Sequence, residues 1–267
     1  MLEGALMNSD KKPGHPSHVG APEAAGSLVI DLNEYGAKKD GVRQQMNRRL
    51  FMQLLVFRVP SGTPADKTGK ELAKVLLERK IAHVVYADTV DPRSLGLLTW
   101  SEDPEHFVKV VRPLFAEDPL THVEFRDDFA MLARSYSIGR EAELEWFLLR
   151  KPIEAVTNTE FAWHVWYPLR RKGAFARLLP SEQGEMMREH AALGHAYGET
   201  GRAQDVRLTC YGLDAGDNEF VIGLIGRDLH TLSHLVQAMR KTRQTSAYIE
   251  KMGPFFVGSV MSQSQGA

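Results

Sequence analysis

Apolar and polar positions recur at two different periods along this chain, and the changes of period mark its elements. Residues 49–59 (RLFMQLLVFRV) are apolar on both faces and closed by Pro60, the pattern of a buried strand. Thr68 and Glu71 have the spacing of a capping box, which predicts a helix with Leu72, Val75 and Leu76 on its apolar side. Residues 83–89 and 95–101 read as strands joined by a turn at Asp91 and Pro92. Asp103 then stands as an N-cap before Pro104, ahead of a helical stripe of Phe107, Val110, Val111 and Leu114. A closing strand is predicted near residues 122–126.

The same order returns in the second half. Residues 161–167 form a strand, and Ser181 opens a helix that reaches Tyr197. Residues 205–212 and 219–225 then pair across a Gly- and Asp-containing turn, Asp228 caps a second helix, and residues 254–260 close the set. Asp228, Leu232, Leu235, Val236 and Met239 each lie 125 positions after Asp103, Phe107, Val110, Val111 and Leu114. A fixed register of this kind signals an internal duplication. Strand, helix, strand, strand, helix, strand is the ferredoxin-like unit. The predicted fold class is therefore α+β, with two ferredoxin-like repeats (46–126 and 161–261) whose sheets close into a dimeric α+β barrel. Residues 127–160 read as a helical connector (Met131, Leu132, Leu144, Phe147, Leu148) broken at Gly139. Residues 1–45, with Pro13, Pro16 and Pro22, read as a mobile N-terminal extension.

Composition narrows the function classes. The 33 basic and 34 acidic side chains leave a net charge of -1, which gives nucleic acid no general reason to bind. No apolar run approaches the ~20 residues of a membrane-spanning helix, and the N-terminus lacks the pattern of a secretory leader. A soluble cytoplasmic protein is expected. The single cysteine, Cys210, excludes a cysteine-rich metal site, so any metal is held by histidine or carboxylate or arrives inside a cofactor.

The helix at 181–197 (SEQGEMMREHAALGHAY) carries the main candidate. Met186, His190, Leu193 and Tyr197 share one face, with His195 off it. A histidine in such a stripe is either a core residue satisfied by one hydrogen bond or an axial ligand to haem iron, whose neutral imidazole suits an apolar wall. His83, His106 and His122 sit on different elements without ligand spacing and read as core or surface residues. Glu141, Glu143 and Glu145 read as a solvated helix face, and Trp163 and Trp166 as packing.

Four stretches, WYPLRRKGAFARLLP, MMREHAALGHAY, VRLTCYGLDAGDNEFVI and MGPFFVG, occur in the order and near the spacing found in the chlorite dismutase-like family, and the chain resembles its coproheme decarboxylase branch. The resemblance implies a haem-bearing barrel of two ferredoxin-like repeats, assembled as a homo-oligomer, commonly a pentamer. It places the proximal iron ligand on His190. Tyr167, followed by Pro168 and by Arg171 four positions on, resembles the decarboxylase motif, in which the tyrosine is the radical relay to the propionate and the basic residue assists. The distal position falls on Asp205 or Arg207, depending on which side of the turn is used as anchor; chlorite dismutases carry arginine there, and one decarboxylase group commonly glutamine. The residue beside the proximal histidine, usually glutamate, falls on Gln244, which pushes less charge onto the imidazole.

The function implied is peroxide-dependent conversion of two propionates of iron-coproporphyrin III (coproheme) to vinyls, giving haem b, with hydrogen peroxide as co-substrate. Three alternatives stay open: a chlorite dismutase or related haem b oxidoreductase, a haem or porphyrin carrier without chemistry, and a duplicated α+β barrel that binds no porphyrin.

Overall fold

Asp40 and Gly41 both take left-handed φ angles, 51° and 82°, and fold Glu34–Lys39 (β1) and Val42–Met46 (β2) into an antiparallel hairpin. Asp-Gly suits such a tight turn because glycine meets no steric penalty there. In the computed structural model, which describes residues 29–266, this hairpin occupies the last part of the segment expected to be a mobile extension; residues 1–28 lie outside the described residues. Side chains tie it down. Gln44 Nε2 donates to the carbonyls of Ala37, Glu141 and Ala142, and the Glu34 carboxylate accepts from the Ser137 amide and hydroxyl.

The first repeat follows. Phe51–Arg58 (β3) leads into the helix Ala65–Glu78 (α1), then His83–Asp88 (β4) and Ser94–Ser101 (β5). Pro64, not Thr68, is the N-cap of α1; Thr68 is a buried residue of its apolar face. Asp103 accepts from the Glu105 amide at 2.9 Å, as its position predicts. A π-helical turn, Phe107–Val111, then runs into Arg112–Leu114 (α2). The extra residue in that turn rotates Val110 out to solvent, off its expected stripe.

The closing strand differs from the expectation. Glu124–Phe125 (β6) pairs only with the end of β3, and the fourth strand proper is Met131–Ser135 (β7), inside the segment read as helical. Met131, Ala133 and Ser135 are buried and alternate with half-exposed Leu132 and Arg134, a period of two that the small Ala and Ser disguise. Helix returns only with the π-helical turn Trp146–Arg150 and Lys151–Val156 (α3). Glu141 is not on a solvated face: it is buried, and its carboxylate accepts from the Ile138 and Arg140 amides.

The second repeat comprises Trp163–Arg171 (β8), Gly173–Ala176 (α4), Pro180–Glu199 (α5), Ala203–Thr209 (β9), Phe220–Gly226 (β10), Leu229–Met239 (α6), Arg243–Tyr248 (α7), Ile249–Met252 (β11) and Phe256–Ser264 (β12). Asp228 caps α6 through the His230 amide at 2.9 Å, matching Asp103. α5 starts earlier than Ser181: Leu179 is its N-cap, and the Leu179 amide donates to Glu182. No described helix is long and apolar enough to cross a membrane.

Strand order confirms the duplication. The first repeat runs β7-β3-β5-β4 and the second β12-β8-β10-β9, the same order of elements in each. Even the split fourth strand recurs, with β6 and β7 sharing β3 as β11 and β12 share β8. Pairing of β7 with β9 and of β4 with β12 joins the repeats at both edges, so eight antiparallel strands close into a barrel.

Alternation along each strand sends one set of side chains inside, where Leu54, Val84, Leu98, Trp166, Val206 and Phe256 pack, and the other set towards the helices. Behind the first sheet the helix layer is packed: α1 buries Gly69, Leu72, Ala73 and Leu76 against Phe57, Val85 and Leu95. Behind the second sheet Met186 is the one fully buried residue of α5. That helix stands off its sheet. The barrel wall beneath it is held by Trp166, whose indole lies against Gly223, where an added Cβ would come within 2.7 Å of the ring. Gly223→Ala is therefore expected to cost about 1–3 kcal/mol through overpacking, read as a lower urea midpoint; an unchanged midpoint would show that Trp166 can move aside.

Candidate functional site

Between α5 and the second sheet lies a cavity of about 970 Å³. Strand register lays its floor. Tyr167 of β8 stands beside Ile222 of β10, and Ile222 beside Arg207 of β9; the next row is Val165, Leu224 and Asp205. Residues two apart on a strand share a face, so both rows look towards α5.

The facing wall is one stripe of α5: Met187, His190, Ala191, Gly194 and Gly198. Its small residues leave the helix surface flat. A Cβ on Gly194 would meet nothing nearer than Met239 Cε at 3.9 Å. The stripe differs from the sequence expectation in three places: Met186 and Leu193 do not line the cavity, and His195, expected off the stripe, does.

His190 is the residue in this wall with chemistry to offer. Its Nδ1 is sealed from solvent without a hydrogen-bond partner, while the ring borders the cavity, which leaves Nε2 to face the open space. Burial, then the positive Arg207, lowers its pKa from the ordinary 6.5. The imidazole is thus neutral at neutral pH, the form that ligates a metal. Gln244, on α7, is buried and lines the same cavity, and its Oε1 also lacks a partner. An orphaned imidazole nitrogen and an orphaned amide oxygen in one wall are a potential donor and acceptor.

On the floor, the Tyr167 ring stacks on Phe255 with centroids 4.5 Å apart and planes at 27°. Burial pushes its phenol pKa up, so the hydroxyl keeps its proton at neutral pH. Arg171 lies between the rings of Phe175 and Phe220, 4.6 and 4.8 Å from their centroids, and its Nε donates to Glu219 at 2.8 Å. That sandwich fixes the guanidinium plane at the cavity edge. Its neighbours in the basic run do not line the cavity. Arg170 pairs with Asp217 and Glu250, and Lys172 donates to the Ala247 carbonyl.

The structure thus brings together all six residues singled out in the sequence, Tyr167, Arg171, His190, Asp205, Arg207 and Gln244, around one space. His83 lies elsewhere as a buried core residue, its Nδ1 at 2.7 Å from the Ile81 carbonyl and its Nε2 at 3.1 Å from Ser262 Oγ. Sequence reasoning passed over Tyr136 and Lys151, which also line the cavity. Both lie in the segment taken for a helical connector. The period of two over Met131–Ser135 is the signal that would have placed Tyr136 at a strand end.

Residues 136–261 match the sequence model of the chlorite dismutase family. Every residue lining the cavity falls inside that segment. Over its second half, this chain is similar to the chlorite dismutase family.

The family fold extends beyond the matched segment. A candidate chlorite dismutase designated TA0507 superposes with a TM-score of 0.63 at 14% identity, covering 80% of this chain and 95% of its own. A haem-binding protein from Thermus thermophilus gives 0.62 at 17% identity, over 80% and 92%. Chlorite dismutase from Candidatus Nitrospira defluvii, in complex with imidazole, gives 0.61 at 14% identity, over 80% and 91%. No curated protein sequence matches the chain. Within a chlorite dismutase-like fold the two repeats differ: α1 of the first packs Leu72 and Leu76 into its layer, and the second holds the larger of the two cavities described.

Proposed function

We propose that the cavity holds an iron porphyrin on His190 and that the protein is a peroxide-dependent coproheme decarboxylase. The observation that carries this reading is the opposition of His190 and Tyr167 on the two walls of one largely apolar cavity. The volume lies within the range of cofactor sites. A neutral imidazole with Nε2 free and Nδ1 unpartnered is the donor an axial site requires, and Gln244 can accept from Nδ1 once Nε2 is engaged. Arg171 borders the space, which suits a ligand that carries carboxylates.

Iron-coproporphyrin, when bound, supplies the redox centre through which hydrogen peroxide oxidises a propionate. Each turnover would convert one propionate, one peroxide and one proton to a vinyl group, carbon dioxide and two waters. Tyr167 Oη can serve as the relay because its phenol is protonated, so proton and electron leave and return together. Phe255 holds the ring in place for this exchange. Arg171 would steady a carboxylate at the edge.

The test is a titration of the protein with coproheme and with haem b, read by absorbance, followed by peroxide. Stepwise loss of two carboxyl groups supports the reading, and binding without turnover leaves a porphyrin carrier. Arg207 on the floor is the observation that favours a second reading, a chlorite dismutase; oxygen release on adding chlorite to the haem b complex would establish it.

A further inference from the structure

Three charged side chains of the cavity have no part in the scheme above. Asp205 Oδ2 lies 2.8 Å from Arg207 Nε, and Asp205 Oδ1 lies 3.3 Å from Lys151 Nζ. Asp205 and Arg207 are two apart on β9, so the strand itself brings their side chains to one face. Lys151 reaches the pair from the first turn of α3. Both cations also lie over the Phe147 ring, Lys151 Nζ at 5.1 Å and Arg207 Cζ at 5.8 Å from its centroid. The guanidinium is held from two sides.

A guanidinium facing a cavity ordinarily binds anions, because its charge and its fork of donors match an oxyanion. Here the Nε is engaged by a carboxylate of the same floor. We infer that Asp205 is a specificity-determining residue that withholds Arg207 from anions entering the cavity, and that Lys151 is the positioning residue that keeps Asp205 in that arrangement. Neutral hydrogen peroxide is indifferent to such a clamp. An anionic oxidant meets an arginine whose charge is already compensated. Burial disfavours the Asp205 carboxylate, but Arg207 and Lys151 outweigh it and hold the pKa below the ordinary aspartate value, so the clamp stays charged at neutral pH. The inference rests on the porphyrin reading of the cavity, and it adds the reason why a floor arginine need not confer chlorite chemistry.

Two measurements test it. The first needs no porphyrin: the carboxyl carbon of Asp205, assigned through Asp205→Asn, is titrated by NMR in the wild-type protein and in Lys151→Met. The midpoint is expected below the ordinary aspartate range in the wild type and higher in the variant. An ordinary wild-type midpoint, or no change in Lys151→Met, overturns the clamp. The second is azide binding to the haem b complex, read by absorbance. Asp205→Asn is expected to tighten azide by about tenfold, the effect of removing one unit charge near the ligand. Asp205→Glu should stay near the wild type, and adding Arg207→Leu to Asp205→Asn should abolish the gain. Equal azide affinity in wild type and Asp205→Asn overturns the selectivity. Haem that fails to bind overturns the porphyrin reading, and the NMR midpoint separates that failure from failure of the clamp.

Discussion

Replacing His190 with alanine is expected to weaken binding of both haem b and coproheme by at least about 100-fold, since removing even the outer partner of a metal ligand costs 10–100-fold. The cavity walls are otherwise unchanged by the substitution, because His190 Nδ1 makes no hydrogen bond whose loss would disturb α5. Added imidazole should restore part of the absorbance spectrum by filling the space left by the side chain. A variant that binds haem b as the wild type does would remove His190 as the ligand. The sign of the pH dependence follows from burial. Protonated imidazole cannot ligate, and the lowered pKa keeps His190 neutral further into acid. Affinity should therefore hold level as pH falls to the ordinary histidine value of 6.5 and decline only below it.

The second large effect is on turnover. Tyr167→Phe removes one oxygen and leaves the ring that stacks on Phe255. Porphyrin affinity is expected to stay within a few-fold, whereas decarboxylation by peroxide should slow by about 10²- to 10⁴-fold, the scale of a positioned proton-transfer group. Mass analysis of the porphyrin after a fixed peroxide addition separates substrate, singly decarboxylated intermediate and haem b. A variant that reaches haem b at the wild-type rate would end the proposed role of Tyr167. Together the two substitutions would divide binding from chemistry, with the proposed ligand on one wall of the cavity and the proposed redox-active phenol on the other.

Why the second repeat holds the cavity of about 970 Å³, while the one beside α1 is about 330 Å³, follows from the helices that cover the two sheets. α1 turns Leu72 and Leu76 onto its sheet, and those side chains fill the layer. α5 turns Ala191, Gly194 and Gly198 onto the same level of its own sheet, with His190 among them. Small residues cannot reach the strands, so the gap remains. The barrel core behind it is packed without such a gap, and Trp166 fills the space that Gly223 vacates.

Much of this was legible in the residues. The duplicated order of elements, the aspartate caps at Asp103 and Asp228, and the tyrosine and histidine that face one another could all be found from periodicity, offset and resemblance, because each is a local pattern or a repeated one. The errors fell where local pattern is ambiguous. Met131–Ser135 alternates through small residues and was masked by the apolar run around it, and the Asp40–Gly41 hairpin lay in a polar segment with few apolar side chains to mark its strands. Tertiary structure alone decided three further matters. It set the stand-off of α5 from its sheet, it excluded Arg170 and Lys172 from the cavity while admitting Arg171, and it paired Asp205 with Arg207 and Lys151. Each depends on distances between residues far apart in sequence, which strand register and helix packing fix only when the barrel closes.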